Sequence, residues 1–563
     1  MYLRKTARKN KNGSVTQYYQ LAHNERDPIS KKPVAKIIHS FGRADQLDRN
    51  SLVRLCQSIA KACGLNVIDA GAQKQIDWPE DMKQIQTFEF GTVLAIETLW
   101  EKLGIGEALR KIMKEQGCKA RHDKALLAMT ANRLCEPKSK LGVWDRWLSK
   151  VHLASCQGLS LDNMYDSMDF FQEHAEAVEK SVFFHTANLF NLEVDLIFYD
   201  TTTAAFAIDE EDEDEEENGI EGLRKFGRPK EGGWSPQVVI ALAVTREGLP
   251  VRCWVFPGNT SDFETIERVR KDLRGWKLGR ALFVADSGMN SEVNRQELSR
   301  ACGKYLLAAR MASVAEIKND VLAKRGRYRV IRDNLEAKEV VIGDGERRRR
   351  YILCYNPHEA ERQRSHRKKV VEILEKELQS HADKKAKAQW AIDLLASKRY
   401  KRYLRITKDG NIKINRQAVA GAKRYDGKWV IETNDDTISF EDAACGYKGL
   451  MVIEQCFRSL KRSQFKMSPM YHWVPRRIEA HIRICVLALL IQRAAEIVSK
   501  KSWHQTCKIL RKLQVTEYHT NSHIFFRRNE VQELVSAELK MLEIPVPASV
   551  LGIEALPRNE KHA

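Results

Sequence analysis

Apolar residues fall into several rhythms along this chain. Near the start, residues 14–24 (SVTQYYQLAHN) alternate and residues 33–42 (PVAKIIHSFG) follow, with an Asn12-Gly13 turn signal ahead of them. This predicts a small basic β module at residues 1–45. Over residues 46–190 the apolar spacing changes to three and four in LDRNSLVRLCQSIAKAC, TVLAIETLWEKLG, DKALLAMTANRLCEP and SVFFHTANLF. That periodicity predicts helices, one of them stopped by Pro137.

From residue 194 the pattern shortens into strand-like runs: VDLIFYD, QVVIALAV, PVRCWVFPGN, RALFVAD and KYLLAARM. Helical spacing lies between them at 260–273 and 291–302, so residues 191–311 read as an α/β sheet. Residues 312–440 are predicted mostly β (RGRYRVIRD, KEVVIG, RRRRYILCYN, NIKINR, KWVIETN) around a charged helix from 358 to about 398. Residues 441–500 are helical again. The region 501–563 is expected to be helical, with a loose Pro-containing tail after Ile544.

Two of the strands share an ending. LIFYD closes on Asp200 and LFVAD on Asp286, each after four apolar residues. Such runs are buried on both faces, and open α/β sheets bind ligands beyond the carboxyl ends of their strands. If the two strands are neighbours, their carboxylates repel, and a divalent cation removes that cost. Oxygen donors suit Mg²⁺ or Mn²⁺ rather than zinc. The alternative is that each aspartate only caps the turn after its strand. The recurrence of the pattern in a basic chain favours a metal pair. A two-metal site needs a further acid. Glu454 is the first candidate, because Arg458, Lys461 and Arg462 follow on the next turns; Glu432, Glu441 and Glu479 compete. Thr201, Thr202 and Thr203 extend the strand, and β propensity accounts for at least two of them.

Composition narrows the partner. The 563 residues suggest two to four domains, and 43% hydrophobic and 30% charged residues are those of a globular chain. A net charge of +19 calls for a polyanion, nucleic acid before an acidic membrane surface. The 12 cysteines include no C-x-x-C pair, which argues against a zinc finger and for reduced core thiols. The basic N-terminus lacks a signal-peptide core. The longest apolar run, ICVLALLI, is too short for a membrane span. No phosphate-binding P-loop or dinucleotide glycine pattern occurs. Residues 209–217, DEEDEDEEE, read as a solvated, disordered loop. Arg347–Arg350 and Lys398–Arg405 (KRYKRYLR) fit either solvated edge charges or a phosphate-binding surface with stacking tyrosines.

The segment YKGLMVIEQCFRSLK resembles the C-terminal signature Y-x2-R-x3-E-x6-K of DDE transposases of the insertion-sequence-four group. Tyr447, Glu454 and Lys461 match it, and Leu450 stands where the family has arginine, for which Lys448 or Arg458 is a substitute. YDTTT, QVVIALAVTREGLPVRCWVFPGNTSD, VADSGM and YHWVPRRIEAHI extend the resemblance over about 190–500, and the N-terminal elements resemble the large, β-inserted branch of the group. The resemblance implies an α/β, ribonuclease-H-like catalytic core with a mostly β insertion domain, preceded by the β module and a helical N-terminal domain. Both N-terminal parts are candidates for reading the DNA ends, the helices at 46–190 first, since helix-turn-helix readers are common. The resemblance also implies that Asp200, Asp286 and Glu454 hold two Mg²⁺ ions, with Mn²⁺ as substitute. Tyr447, Arg458, Lys461 and Arg462 would contact DNA. It further implies cutting and joining of double-stranded DNA at terminal inverted repeats and in target DNA, a homodimer in the DNA complex, and a cytoplasmic, nucleoid-associated location in a bacterium or archaeon. The main alternative is a catalytically impaired DNA-binding relative that regulates transposition. A haloacid-dehalogenase-type phosphotransferase would need an aspartate where Thr202 stands, and an RNA-binding role has only the charge behind it.

Overall fold

In the strand Leu196–Ala205, side chains alternate between two cores. Leu196 and Phe198 join one, Ile197 and Tyr199 the other. That period of two is what a pleated strand gives when both sheet faces are covered. The computed structural model describes residues 2–9, 15–26, 33–43, 82–214, 222–345, 348–380, 387–408, 411–463 and 465–555. The chain divides into two units, Met1–Met82 and Lys83–Ala563.

In the first unit, the strands Tyr2–Lys9, Val15–Arg26 and Pro33–Arg43 form an antiparallel sheet in chain order. The helix expected from LDRNSLVRLCQSIAKAC lies outside the described residues.

The second unit is built on a ten-stranded mixed sheet. Its order is Arg329–Arg332, Leu335–Ile342, Arg349–Tyr355, Lys428–Thr433, Lys304–Ala309, Leu282–Ala285, Leu196–Ala205, Ser235–Val244 and Lys225–Gly227, with Pro250–Pro257 also paired to Ser235–Val244. Leu196–Ala205 runs parallel to Leu282–Ala285, which runs parallel to Lys304–Ala309. One sheet face packs on helices Phe440–Lys448, Met451–Arg458 and Pro475–Ser499 through Ile453, Cys456, Phe457 and Ile484. The other packs on Thr265–Gly275 and Glu292–Ser299 through Ile266, Val269, Leu273 and Leu298.

The Pro475–Ser499 helix is buried on almost every side and is the axis of a helical layer with Gly91–Lys102, His122–Cys135 and Leu161–Glu173. A helix apolar all round belongs in a core. No described helix is long and apolar enough to cross a membrane.

Three expectations change. Lys83–Glu89, inside the stretch predicted helical, is a strand. It joins Gln514–His519, His523–Arg528 and Val550–Ala555 in a four-stranded antiparallel sheet. The C-terminal region is therefore part β, and the segment expected to be a loose tail contains a paired strand. The long charged helix, by contrast, is found as expected over the described residues, as Pro357–Ser380 and Lys387–Ala396, with 381–386 outside the described residues.

Candidate active site

Strand register brings the two aspartates side by side. Tyr199 pairs with Ala285 across the parallel strands, and the next residue on each strand is Asp200 or Asp286. Asp286 leaves its strand in extended conformation as the N-cap of a 3₁₀ turn, Ser287–Met289. Met451–Arg458 packs by Ile453, Cys456 and Phe457 and leaves Glu454 on its exposed side. Asp200, Asp286 and Glu454 line one cavity of about 270 Å³ with Trp429, Tyr447, Lys448, Leu450 and Met451.

The competing acids are engaged elsewhere. Glu432 is buried beside Arg295, at 3.4 Å, and accepts a hydrogen bond from Asn290. Glu441 pairs with Arg329. Glu479 pairs with Arg483 and accepts from Gln172 at 2.7 Å.

Burial first, then the charges of Asp286 and Asp262, push the Asp200 carboxyl up to about 6 against the pull of Lys230 and the Thr201 N–H. The Tyr447 hydroxyl donates to Asp286 at 3.4 Å, and burial first, then the Asp286 charge, raises its pKa. An oxygen-only donor set whose members repel each other fits a hard dication. Among the described residues, however, no three His, Cys, Asp or Glu side chains converge into a ready-made metal cluster. Water and phosphate oxygens would have to complete any coordination sphere.

Two groups here carried no sequence signal. Lys230 places its ammonium 3.8 Å from both Asp200 and Asp262 and donates to the Thr201 carbonyl at 2.6 Å. The Thr201 hydroxyl in turn donates to Asp262. Trp429 comes from a strand of the 312–440 segment and gives the cavity its aromatic wall. The threonines do more than extend a strand: Thr201 holds Asp262, and Thr203 accepts from the Lys230 backbone N–H at 2.9 Å.

The expected DNA contacts are distributed unevenly. Tyr447 lines the cavity, and Arg458 is exposed one turn beyond Glu454. Lys461 is ion-paired with Glu231 at 2.7 Å. The Arg462 side chain lies outside the described residues. Arg348, Arg349 and Arg350 pair with Asp436, Glu316 and Glu339, and Tyr403 is buried in a small core, so those basic runs offer less free charge than their sequence suggests. The acidic run is also not simply solvated. Asp212 binds Arg224 and Asp214 pairs with Lys225, folding that stretch onto the short strand Lys225–Gly227; residues 215–217 lie outside the described residues.

Family comparison fits this geometry. The transposase DDE domain matches residues 215–491, a span that includes Asp286 and Glu454 and begins after Asp200. The N-terminal domain of the IS1634 family transposase matches residues 3–70. The chain is a DDE transposase of an insertion sequence. As a transposase it binds, cuts and joins DNA, and enzymes of this class use divalent metal ions. No curated relative matches it in sequence. Among solved structures, a piggyBac transposase synaptic complex with hairpin DNA is 10% identical. The match covers 80% of this chain and 79% of that one with a TM-score of 0.32, too loose a superposition to inform the site.

Proposed function

We propose that Asp200, Asp286 and Glu454 are the catalytic carboxylates of this transposase, in a ribonuclease-H-like core of the insertion-sequence-four type. Strand register carries this proposal, since it sets Asp200 beside Asp286 at the sheet's carboxyl edge while Glu454 lines the same cavity. These carboxylates would hold Mg²⁺, or Mn²⁺ in its place. When bound, the ions supply charge neutralisation at the transferring phosphate and activation of water or a 3′-hydroxyl.

The chain's own residues do the positioning. Asp286 is solvent-exposed and Asp200 recessed, so a DNA strand meets Asp286 and Glu454 first. Lys448 is the cation at the cavity wall, where Leu450 replaces the signature arginine, and it takes over the phosphate contact. Arg458, Lys461 and Arg462 extend that contact along the helix, Lys461 after leaving Glu231. Tyr447, held at the cavity edge by Asp286, presents its ring to the DNA.

The substrates are the terminal inverted repeats of the element and a target duplex, worked on by a homodimer. The helical layer within 46–190 is the end-binding part, 312–440 the insertion, and 441–500 the second part of the core. The setting is the cytoplasm, at the nucleoid. A cleavage assay tests the reading: full-length protein, DNA carrying the element's ends, and Mg²⁺ beside Ca²⁺. Nicking at the ends with Mg²⁺, absent in Asp286→Ala while end binding persists, is the expected result. Tight binding with no cut by the unaltered protein would instead support the regulator alternative, for which Leu450 is the motivating departure.

A further inference from the structure

A pair of buried cations lies outside the carboxylate cavity. Lys140 is 2% exposed and Arg133 5%, and both line a cavity of about 530 Å³. Lys138, Arg146 and Lys466 line it too, and among the described residues no carboxylate does. The Lys140 ammonium donates to His481 Nδ1 at 2.7 Å, while His481 Nε2 donates to the Met467 carbonyl at 3.0 Å. Arg133 donates to the carbonyls of Phe465, Lys466 and Lys138. All of these acceptors are neutral.

The nearby acids serve other groups. Glu136 pairs with Lys138 at 2.8 Å, Asp145 lies 3.9 Å from Arg146, and Asp169 is held by Arg476 and Arg477. Burial, and then the charge of Arg133, push the Lys140 pKa well below its ordinary value. Burial, then Lys140 and Arg133, push His472 down to about 3. Proteins rarely bury cations without a counter-charge, because desolvation is then uncompensated. A cavity that gathers such cations is an anion site waiting for its anion.

Aromatic groups indicate which anion. Tyr165, Tyr471 and His472 line the same cavity, and Tyr471 is 68% exposed. Exposed rings beside a cationic pocket are what a nucleotide uses, phosphate on the cations and base on the ring. The chain path agrees, since the 465–474 segment follows directly from the Glu454-bearing helix and its π-helical extension Ser459–Ser463.

We propose that this cavity is a second DNA-strand site, separate from the carboxylates, in which a backbone phosphate sits over Lys140, Arg133 and Lys466 and the adjoining base stacks on Tyr471. The inference rests on the transposase function and assigns part of its DNA grip to residues outside the signature.

The test is anisotropy of full-length protein with a labelled short single-stranded oligonucleotide across a salt series, run beside inorganic pyrophosphate as competitor. Lys140→Met should weaken binding about five- to tenfold and flatten the salt slope by about 0.7, the loss of one phosphate contact. Tyr471→Ala should weaken binding with the slope retained, since stacking releases no counterion. Lys140→Met should also raise the melting temperature of the DNA-free protein, which a purely structural lysine would not do. If that variant does not fold, Lys466→Ala and Tyr471→Ala on exposed positions carry the same comparison. Unchanged affinity and slope in the cation variants would overturn the site. Pyrophosphate binding lost in Lys140→Met while oligonucleotide binding is untouched would overturn its assignment to a DNA strand. Asp286→Ala is the separating control: it should keep oligonucleotide binding, and if it still cuts DNA, the catalytic assignment fails while the cavity assignment stands.

Discussion

Gly449 lies directly against the ring of Phe198: a Cβ at position 449 would stand 2.6 Å from Phe198 Cζ. Phe198 is fully buried two residues before Asp200, and Gly449 precedes the helix that carries Glu454. The contact therefore fixes the height of the third carboxylate above the first two. Its backbone angles are ordinary helical ones (φ −62°), so the glycine is required by space and not by conformation. Gly449→Ala must lift the helix or shift the ring. Misplacing a reacting group by about 1 Å costs roughly a hundredfold in rate. We expect cleavage to fall by that order while end-DNA binding changes little, measured by single-turnover cleavage beside a binding titration. Cleavage within twofold of the unaltered protein would mean the helix position is not set here.

Lys448 and Leu450 both line the carboxylate cavity. If Lys448 supplies the cation that arginine supplies elsewhere, Lys448→Ala should lower cleavage about ten- to a hundredfold, the range for removing one charge-stabilising donor. Adding Leu450→Arg to that variant should recover much of the loss. The double-mutant cycle is the measurement. Strictly additive effects would show that the two positions do not share a task.

Lys230 stands between Asp200 and Asp262 and offsets their repulsion while no metal is bound. An arriving dication meets that ammonium as a competitor. The Lys230 side chain is 41% exposed, so solvent screening limits the effect to about 1 kcal/mol, or roughly fivefold in affinity. Lys230→Met should thus lower metal-free thermal stability and tighten Mn²⁺ binding about fivefold, read by thermal shift across an Mn²⁺ titration. Weaker Mn²⁺ binding in the variant would show that Lys230 chiefly holds Thr201 in place.

Much of the site is written locally. Four apolar residues closed by an aspartate mark a strand end, and Glu454 with its basic turns marks a helix face, because both patterns follow from backbone periodicity alone. Lys230 and Trp429 were not legible, because loop closure brings Lys230 beside Asp200 and strand pairing brings Trp429 to the cavity from separate segments. The Lys83–Glu89 strand was missed for a related reason. Its partner Gln514–His519 lies at the far end of the chain, and no local rhythm reports a partner so remote. The acidic run misled because charge density suggests solvation, whereas Arg224 and Lys225 a few residues on give Asp212 and Asp214 fixed partners.

Asp169 ties the helix Leu161–Glu173 to the first turn of Pro475–Ser499 by accepting from Arg476 and Arg477, at 2.8 Å each. Burial alone would raise its carboxyl, but the hydrogen bonds from Arg477 and then Arg476 outweigh it and hold the pKa below the ordinary value. A carboxylate depressed in the folded state stabilises the protein above its unfolded pKa, about 3.9 for aspartate, and loses that contribution as pH falls through the folded value. Asp169→Asn should therefore cost about 1–2 kcal/mol near neutral pH, the range for a charge-assisted hydrogen-bond pair that is partly exposed. The gap to the unaltered protein should close as both are acidified below about pH 4. Urea unfolding at neutral pH and at a series of acidic values measures it. A gap that stays constant with pH would show that the asparagine disturbs packing, and that the carboxylate charge is not what joins these two helices.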